Sequence, residues 1–200
     1  MNIGLTGGIA TGKSTVSSML VEKGALLVDA DVIAREVMLP GHPVLLAVTA
    51  HFGQEILLAD GSLNRKRLGE IIFHNPSERQ ALNDITHPAI RQEIRRQVQA
   101  YEREHPGQPV VVDIPLLLEA REEYPYLNTI VVVYVPQEVQ LQRLMERDGI
   151  SKEQAEARLS SQLDIEQKKQ LADIVIDNSG TLADTEQQVD KLWQRMVREA

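Results

Sequence analysis

An α/β protein built on a mostly parallel sheet is what the sequence predicts, and three observations predict it. Short apolar runs recur along the chain, and most are followed by a stretch with helical spacing. One run, TIVVVYV at 129–135, is a continuous β-branched segment suited to a strand buried on both faces. The first run ends in glycines that open directly into a helix. Strands alternating with helices form a sheet covered on both faces, with right-handed crossovers and with ligands gathered beyond the carboxyl ends of the strands.

Taken in order, residues 2–6 form the first strand and 15–22 a helix with apolar residues at helical spacing. Residues 25–28 form the second strand and 110–114, bounded by Pro109 and Pro115, the third. The fourth is 129–135 and a short fifth lies at 174–176. Between the second and third strands runs a helical stretch, about 42–104, punctuated by Pro40-Gly41, Asp60-Gly61 and Asn75-Pro76, which reads as an inserted helical subdomain. His87 precedes Pro88, which biases it away from helical dihedrals and places a helix boundary or bend there. Phe52 and Phe73, both in the insertion, read as core. Ser151 with Gln154 is a capping box opening a charged helix to about Gln170, and Thr181 with Asp184 opens the last helix. Leu182, Val189, Leu192, Trp193 and Met196 give that helix its packing face.

Two hundred residues suit one domain, or one core with inserted subdomains, and 42% hydrophobic content is enough for a sizeable core. The net charge of −8 gives no general attraction to nucleic acid or an anionic membrane, so any anion must be held by a local site. The absence of cysteine removes disulfides and thiolate metal sites and suits a reducing compartment. No apolar run reaches the length of a membrane span, and no signal-like segment opens the chain. A soluble, cytoplasmic protein is the expectation, a monomer or weak homo-oligomer.

The glycines after the first strand begin GGIATGKST, in which Gly7 through Ser14 satisfy G-x-x-x-x-G-K-[ST]. Such a loop wraps so that several N–H groups point inward, and the helix that follows adds its positive end; phosphate oxygens are what the resulting nest holds. Lys13 would neutralise the β- and γ-phosphates of a nucleoside triphosphate, and the Ser14 hydroxyl is the usual ligand to Mg²⁺. A chance match in a chain this long has odds on the order of one in a hundred, and the strand before it and helix after it lower them further. The dinucleotide alternative, G-x-G-x-x-G, fails at Ile9.

Among P-loop proteins, a GTPase switch needs an N-K-x-D guanine reader, whereas the corresponding segment here is DNSG at 177–180. A nucleic-acid motor needs a basic tract that the acidic balance does not supply. A small-molecule kinase needs a second pocket for the acceptor, which the helical insertion offers, and a cover that excludes water. Arg143 and Arg147 lie i, i+4 after the fourth strand and Arg158 sits on the next helix, suited to a lid that closes over phosphates. Glu138, Glu146, Glu153 and Glu156 are interleaved with them, as on solvated helical faces.

Three acids bear on chemistry. Asp29 and Asp31 follow the second strand, where Asp29 closes the strand and Asp31 falls at or near the start of a helix whose positive end favours its ionised form. Asp113 ends VVVD and has two readings, an acid holding the Mg²⁺ ion through a water or a strand-end cap. Glu119, six residues on, reads as a local structural partner rather than part of the metal's water shell.

TGGIATGKST at the start, VDADVIAREV, HPAI at 87–90, DIPLLLE at 113–119, QRLMERD at 142–148, RLSSQ at 158–162 and DIVIDNSG at 173–180 together resemble the dephospho-CoA kinases, from residue 2 to about 197. The resemblance implies a five-stranded parallel sheet of order 2-3-1-4-5 in a P-loop NTPase fold. It implies a nucleotide-binding core (about 1–38, 106–140 and 171–200), a helical CoA-substrate subdomain (about 39–105) and a small lid (about 141–170). The implied reaction is ATP-dependent phosphorylation of the 3′-hydroxyl of dephospho-CoA ribose, the last step of coenzyme A synthesis, with Mg²⁺ as cofactor. Carried over by residue, Gly8, Ile9, Ala10, Thr11, Gly12, Lys13, Ser14 and Thr15 form the ATP loop, and Asp31 attends the acceptor hydroxyl. Arg143 and Arg147 face the nucleotide and Asn178 lies near the adenine. His87, Leu117 of the PLLLE segment and Arg158 are assigned to the substrate side.

Overall fold

The computed structural model describes residues 2–199. In chain order its elements are β1 (Asn2–Gly7), α1 (Lys13–Glu22), β2 (Leu26–Asp29), α2 (Ala30–Glu36), α3 (Pro43–Phe52), α4 (Arg65–Phe73), α5 (Pro76–Glu104), β3 (Val110–Asp113), β4 (Thr129–Tyr134), α6 (Gln137–Asp148), α7 (Lys152–Leu159), α8 (Ile165–Leu171), β5 (Ile174–Asp177) and α9 (Leu182–Arg198). They fall into two compact units, residues 1–28 with 98–200, and residues 29–97.

The first unit holds a five-stranded parallel sheet of order β2-β3-β1-β4-β5, as expected. β1 lies between β3 and β4, with Leu5 beside Asp113 on one side and Val131 on the other. Burial explains the composition: β3 and nearly all of β4 are inaccessible, so β-branched residues fill both faces. On one face Ile3, Leu5, Val131 and Val133 pack with Val16 and Leu20 of α1 and with Val189, Leu192 and Met196 of α9. On the other, Gly4 leaves no room for a side chain, because a Cβ there would lie 2.5 Å from Leu117 Cδ2. Both predicted capping boxes are present, at Ser151/Gln154 and Thr181/Asp184.

The charged helix after Ser151 is not continuous to Gln170. It breaks between α7 and α8, where Ser160 and Ser161 hydroxyls donate to the carbonyls of Glu156 and Arg158 and Asp164 caps the next helix. On α9, Leu182 is exposed, since it is the first residue of the helix and precedes the packing stripe.

The second unit is helical. Asp29 caps α2, His42 caps α3 with Pro43 in its first turn, and Asn64 caps α4. Its buried apolar residues include Ile33, Val37, Leu45, Val48, Phe52, Ile56, Leu68 and Ile94. Phe73, expected in the core, is 77% exposed at the end of α4, stacked edge-on to His74. Of the boundary or bend expected at His87-Pro88, the boundary is absent: α5 runs through Pro88 for 29 residues, at the loss of one main-chain donor. The division at 28/29 and 97/98 falls earlier than the boundaries near 39 and 105, because α2 goes with the insertion and the end of α5 with the sheet. Residues 141–170 belong to the first unit.

Candidate nucleotide site

β1 stops at Gly7 and α1 starts at Lys13, and the five residues between them form the glycine-containing loop that the sequence places between strand and helix. Gly12 is the N-cap with φ 84°, and a Cβ there would collide with the Asn178 side-chain amide. A Cβ on Gly8 would meet the Gln140 amide. Lys13 and Ser14 N–H, at the first turn of α1, have no backbone acceptor among the described residues, so they remain available to an anion.

Side chains from three later segments shape this loop. The Thr11 hydroxyl and N–H both donate to the Gly8 carbonyl, at 2.9 and 3.3 Å. Ile9 donates its N–H to Gln162 Oε1 at 3.0 Å, and its carbonyl accepts from Gln140 at 2.8 Å. Asn178 Nδ2 donates to the Thr11 carbonyl at 2.8 Å, while its Oδ1 accepts the Thr185 hydroxyl at 2.8 Å. The Asn178 side chain is therefore committed to holding the P-loop.

Above the loop lies a cavity of about 470 Å³. Ala10, Gly12, Ser14 and Thr15 line one side, and Arg143 and Arg147 of α6 with Asn178 and Gly180 line the other. Arg143 donates to the Asn178 carbonyl at 3.0 Å. Arg147 and Arg158 both pair with Asp148, at 2.7 and 2.5 Å. The hydrogen bond from Arg147, with the charges of both arginines, holds the Asp148 carboxyl below its usual range, and the same bond raises Arg147. Arg158 is thus anchored on α6's last residue and does not line this cavity.

Lys13 forms an ion pair with Asp113, the last residue of β3, whose side chain is 5% exposed. Among the described residues no cluster of three or more acids or histidines could enclose a metal. The donors present are the Ser14 hydroxyl and the Asp113 carboxylate, both hard oxygens beside a phosphate nest. They fit Mg²⁺, which favours few protein ligands together with phosphates and retained waters. Glu119 is a structural partner, pairing with Lys168 at 2.8 Å and accepting the Leu163 N–H at 3.0 Å. Leu117, expected on the substrate side, is fully buried under Gly4, and the exposed leucine of that segment is Leu116.

In the second unit, Asp29 Oδ1 accepts the N–H groups of Asp31 and Val32 at 2.8 and 3.1 Å. Asp29 thus closes the strand and caps α2, and Asp31 sits exposed in the first helical turn. His87 lies exposed on α5. A cavity of about 380 Å³ in this unit is lined in part by Glu36, His42, Gln92, Glu93 and Arg96, none of which the sequence singled out. Hydrogen bonding by Arg96 lowers the Glu93 carboxyl. Lys168, Gln140, Gln162 and Thr185 were likewise not singled out as functional, although Gln162 ends the RLSSQ segment.

The sequence profile of the dephospho-CoA kinase family matches residues 1–184. A dephospho-CoA kinase of Enterococcus faecalis is 47% identical over 98% of this chain and 96% of its own. One of Listeria monocytogenes serotype 4b is 48% identical over 98% and 97%. Among solved structures, a dephospho-CoA kinase from Campylobacter jejuni is 35% identical, covers 99% of this chain and 98% of its own, and superposes with a TM-score of 0.76.

Proposed function

The chain belongs to the dephospho-CoA kinase family, and from that premise we infer how its own residues carry out the family's reaction. The enzyme transfers the γ-phosphoryl group of ATP to the 3′-hydroxyl of dephospho-CoA ribose, giving coenzyme A and ADP. The bond between the γ-phosphorus and the β–γ bridging oxygen breaks, a bond from phosphorus to the 3′-oxygen forms, and the hydroxyl proton leaves. The observation carrying the assignment of parts is the phosphate nest at 8–15 facing Arg143 and Arg147 across one cavity.

ATP binds with its phosphates on the nest, against the N–H groups of Lys13 and Ser14, and Lys13 moves from Asp113 toward the β- and γ-phosphates. Arg143 and Arg147 stabilise charge on the transferring group. Ser14, and Asp113 through a water, would hold Mg²⁺, which would supply neutralisation of the phosphate charge. Asp31 accepts the 3′-hydroxyl proton or orients that hydroxyl for in-line attack. The unit at 29–97 receives dephospho-CoA, with His87 among its contacts, and the α7 region with Arg158 acts as the lid. The exposed Leu116 takes the place on the acceptor side that Leu117 cannot reach.

No helix among the described residues is long and apolar enough to cross a membrane. The net charge of −8 offers nucleic acid no general attraction, and the proposed enzyme is cytoplasmic and monomeric or weakly self-associating. The test is ADP release from ATP with dephospho-CoA, compared with AMP, adenosine and shikimate as acceptors. Stimulation by dephospho-CoA alone is expected. Stimulation by another acceptor without it would overturn the substrate assignment.

A further inference from the structure

Lys168 of α8 is among the largest fully buried side chains of the described residues, and phosphoryl transfer at the P-loop gives it no direct task. A buried ammonium group is costly unless charge and hydrogen bonds surround it, so its partners show what holds it there. Its Nζ lies 3.2 Å from the carbonyl oxygen of Gly7, where β1 becomes the P-loop, and 2.8 Å from Glu119 Oε1. The same Glu119 oxygen accepts the N–H of Leu163, and the neighbouring Gln162 accepts the N–H of Ile9. Residues 162–168, the end of the connection from α7 and the first turn of α8, therefore grip the first half of the P-loop at two points.

We propose that Lys168 is a positioning residue for phosphoryl transfer: it fixes the Gly7 carbonyl outside the phosphate nest and, through Glu119 and Leu163, ties the root of α7 to the P-loop. This rests on the reading of residues 8–15 as the ATP loop. A nest holds phosphate only while its N–H groups, not its carbonyls, point inward. The ammonium group holds the Gly7–Gly8 peptide in that sense by binding its oxygen from behind. Glu119 neutralises the added charge, so the contact acts through orientation and not through a second cation facing the nucleotide. Because Lys168 and Glu119 together join the loop to the connection that follows α7, phosphates on the nest and the arrangement of the α7 segment are coupled.

The test compares Lys168→Met, Lys168→Arg, Glu119→Gln and the double variant Glu119→Gln/Lys168→Met with wild type, using steady-state kinetics in both substrates. Lys168→Met should raise KM for ATP and lower kcat, together by about tenfold to a hundredfold in kcat/KM, the scale of a small misplacement of reacting groups. KM for dephospho-CoA should stay nearly unchanged. Lys168→Arg should recover most of the loss, and the double variant should recover fold stability without recovering KM for ATP. Should Lys168→Met fail to fold, the double variant and Gln162→Ala carry the test, each expected to raise KM for ATP selectively. Equal changes for both substrates, or ATP kinetics in the double variant matching wild type, would overturn the proposal. Lys13→Ala is run alongside. An unaffected Lys13→Ala enzyme would instead remove the ATP-loop reading itself.

Discussion

Lys13 and Asp113 stand 100 residues apart in the chain and meet as an ion pair beside the P-loop. The contact folds the lysine back over a nearly buried carboxylate. Asp113→Asn should therefore lower kcat by about 10²–10³, the cost of removing one preorganised charge-stabilising group, and raise the Mg²⁺ concentration needed for half-maximal rate. A Mg²⁺ titration of the variant gives the answer. An unchanged midpoint would leave Asp113 as a partner of Lys13 alone.

Asp31 is exposed in the first turn of α2 and makes no side-chain hydrogen bond among the described residues, as suits a group waiting for a substrate. Asp31→Asn should reduce kcat by on the order of 10²–10⁴ if the carboxylate takes the proton, with KM for ATP nearly unchanged. Wild-type turnover would remove Asp31 from catalysis.

Asp29 separates structure from chemistry two residues earlier. Asp29→Ala deletes the acceptor of two helix N–H groups and should cost about 0.5–2 kcal/mol of stability, whereas Asp29→Asn should cost little. Denaturant unfolding measures the first effect. A fall in kcat that tracks the cap, present in Ala and absent in Asn, would show that α2's first turn must be held for Asp31 to act.

Gly12 carries a left-handed φ of 84° under the Asn178 amide. Gly12→Ala therefore meets both backbone strain and a collision, and should raise KM for ATP by about tenfold or more through displacement of the loop. Isothermal binding of a non-hydrolysable ATP analogue would register the same loss. Unchanged binding would mean that the Thr11–Asn178 contact does not set the shape of the nest.

Tyr134 gives a test by pH. Its hydroxyl donates to Glu166 at 2.6 Å, and that bond, with burial and nearby acids, pushes the phenol up to about 12. Tyrosine in the unfolded chain ionises near 10, so between these values the unfolded state has already lost the proton that the folded state keeps. The bond's contribution is complete below about pH 10 and vanishes as pH rises through about 12. Tyrosinate absorbance should show a late-titrating component that disappears in Tyr134→Phe. The variant's stability should also fall less steeply across this window.

The five strands and the P-loop were legible because each depends on a local pattern: β-branched runs for β3 and β4, and glycine spacing between Gly7 and Gly12. Helix starts at Ser151 and Thr181 were equally local. Phe73 misled because an aromatic residue beside Ile71 and Ile72 looks apolar wherever the helix happens to end. Pro88 misled because a missing donor in a long helix costs less than breaking it would. Leu117 and Leu116 differ only in which one turns beneath Gly4, a fact of three-dimensional packing. Lys168 was hidden for the opposite reason. A lysine in EQKKQ reads as solvated, and only Gly7 and Glu119, both far away in the sequence, make burial tolerable.

The ordering of β1 between β3 and β4 also constrains how the chain comes to its fold. β1 precedes both its partners, which begin at Val110 and Thr129, so it cannot enter the sheet until those strands have been synthesised. The whole of residues 29–97 leaves the ribosome before that moment. The helical unit is thus complete in the chain before either neighbour of β1, and the loop after Gly7 gains the strands beside its root only from the far end of the insertion.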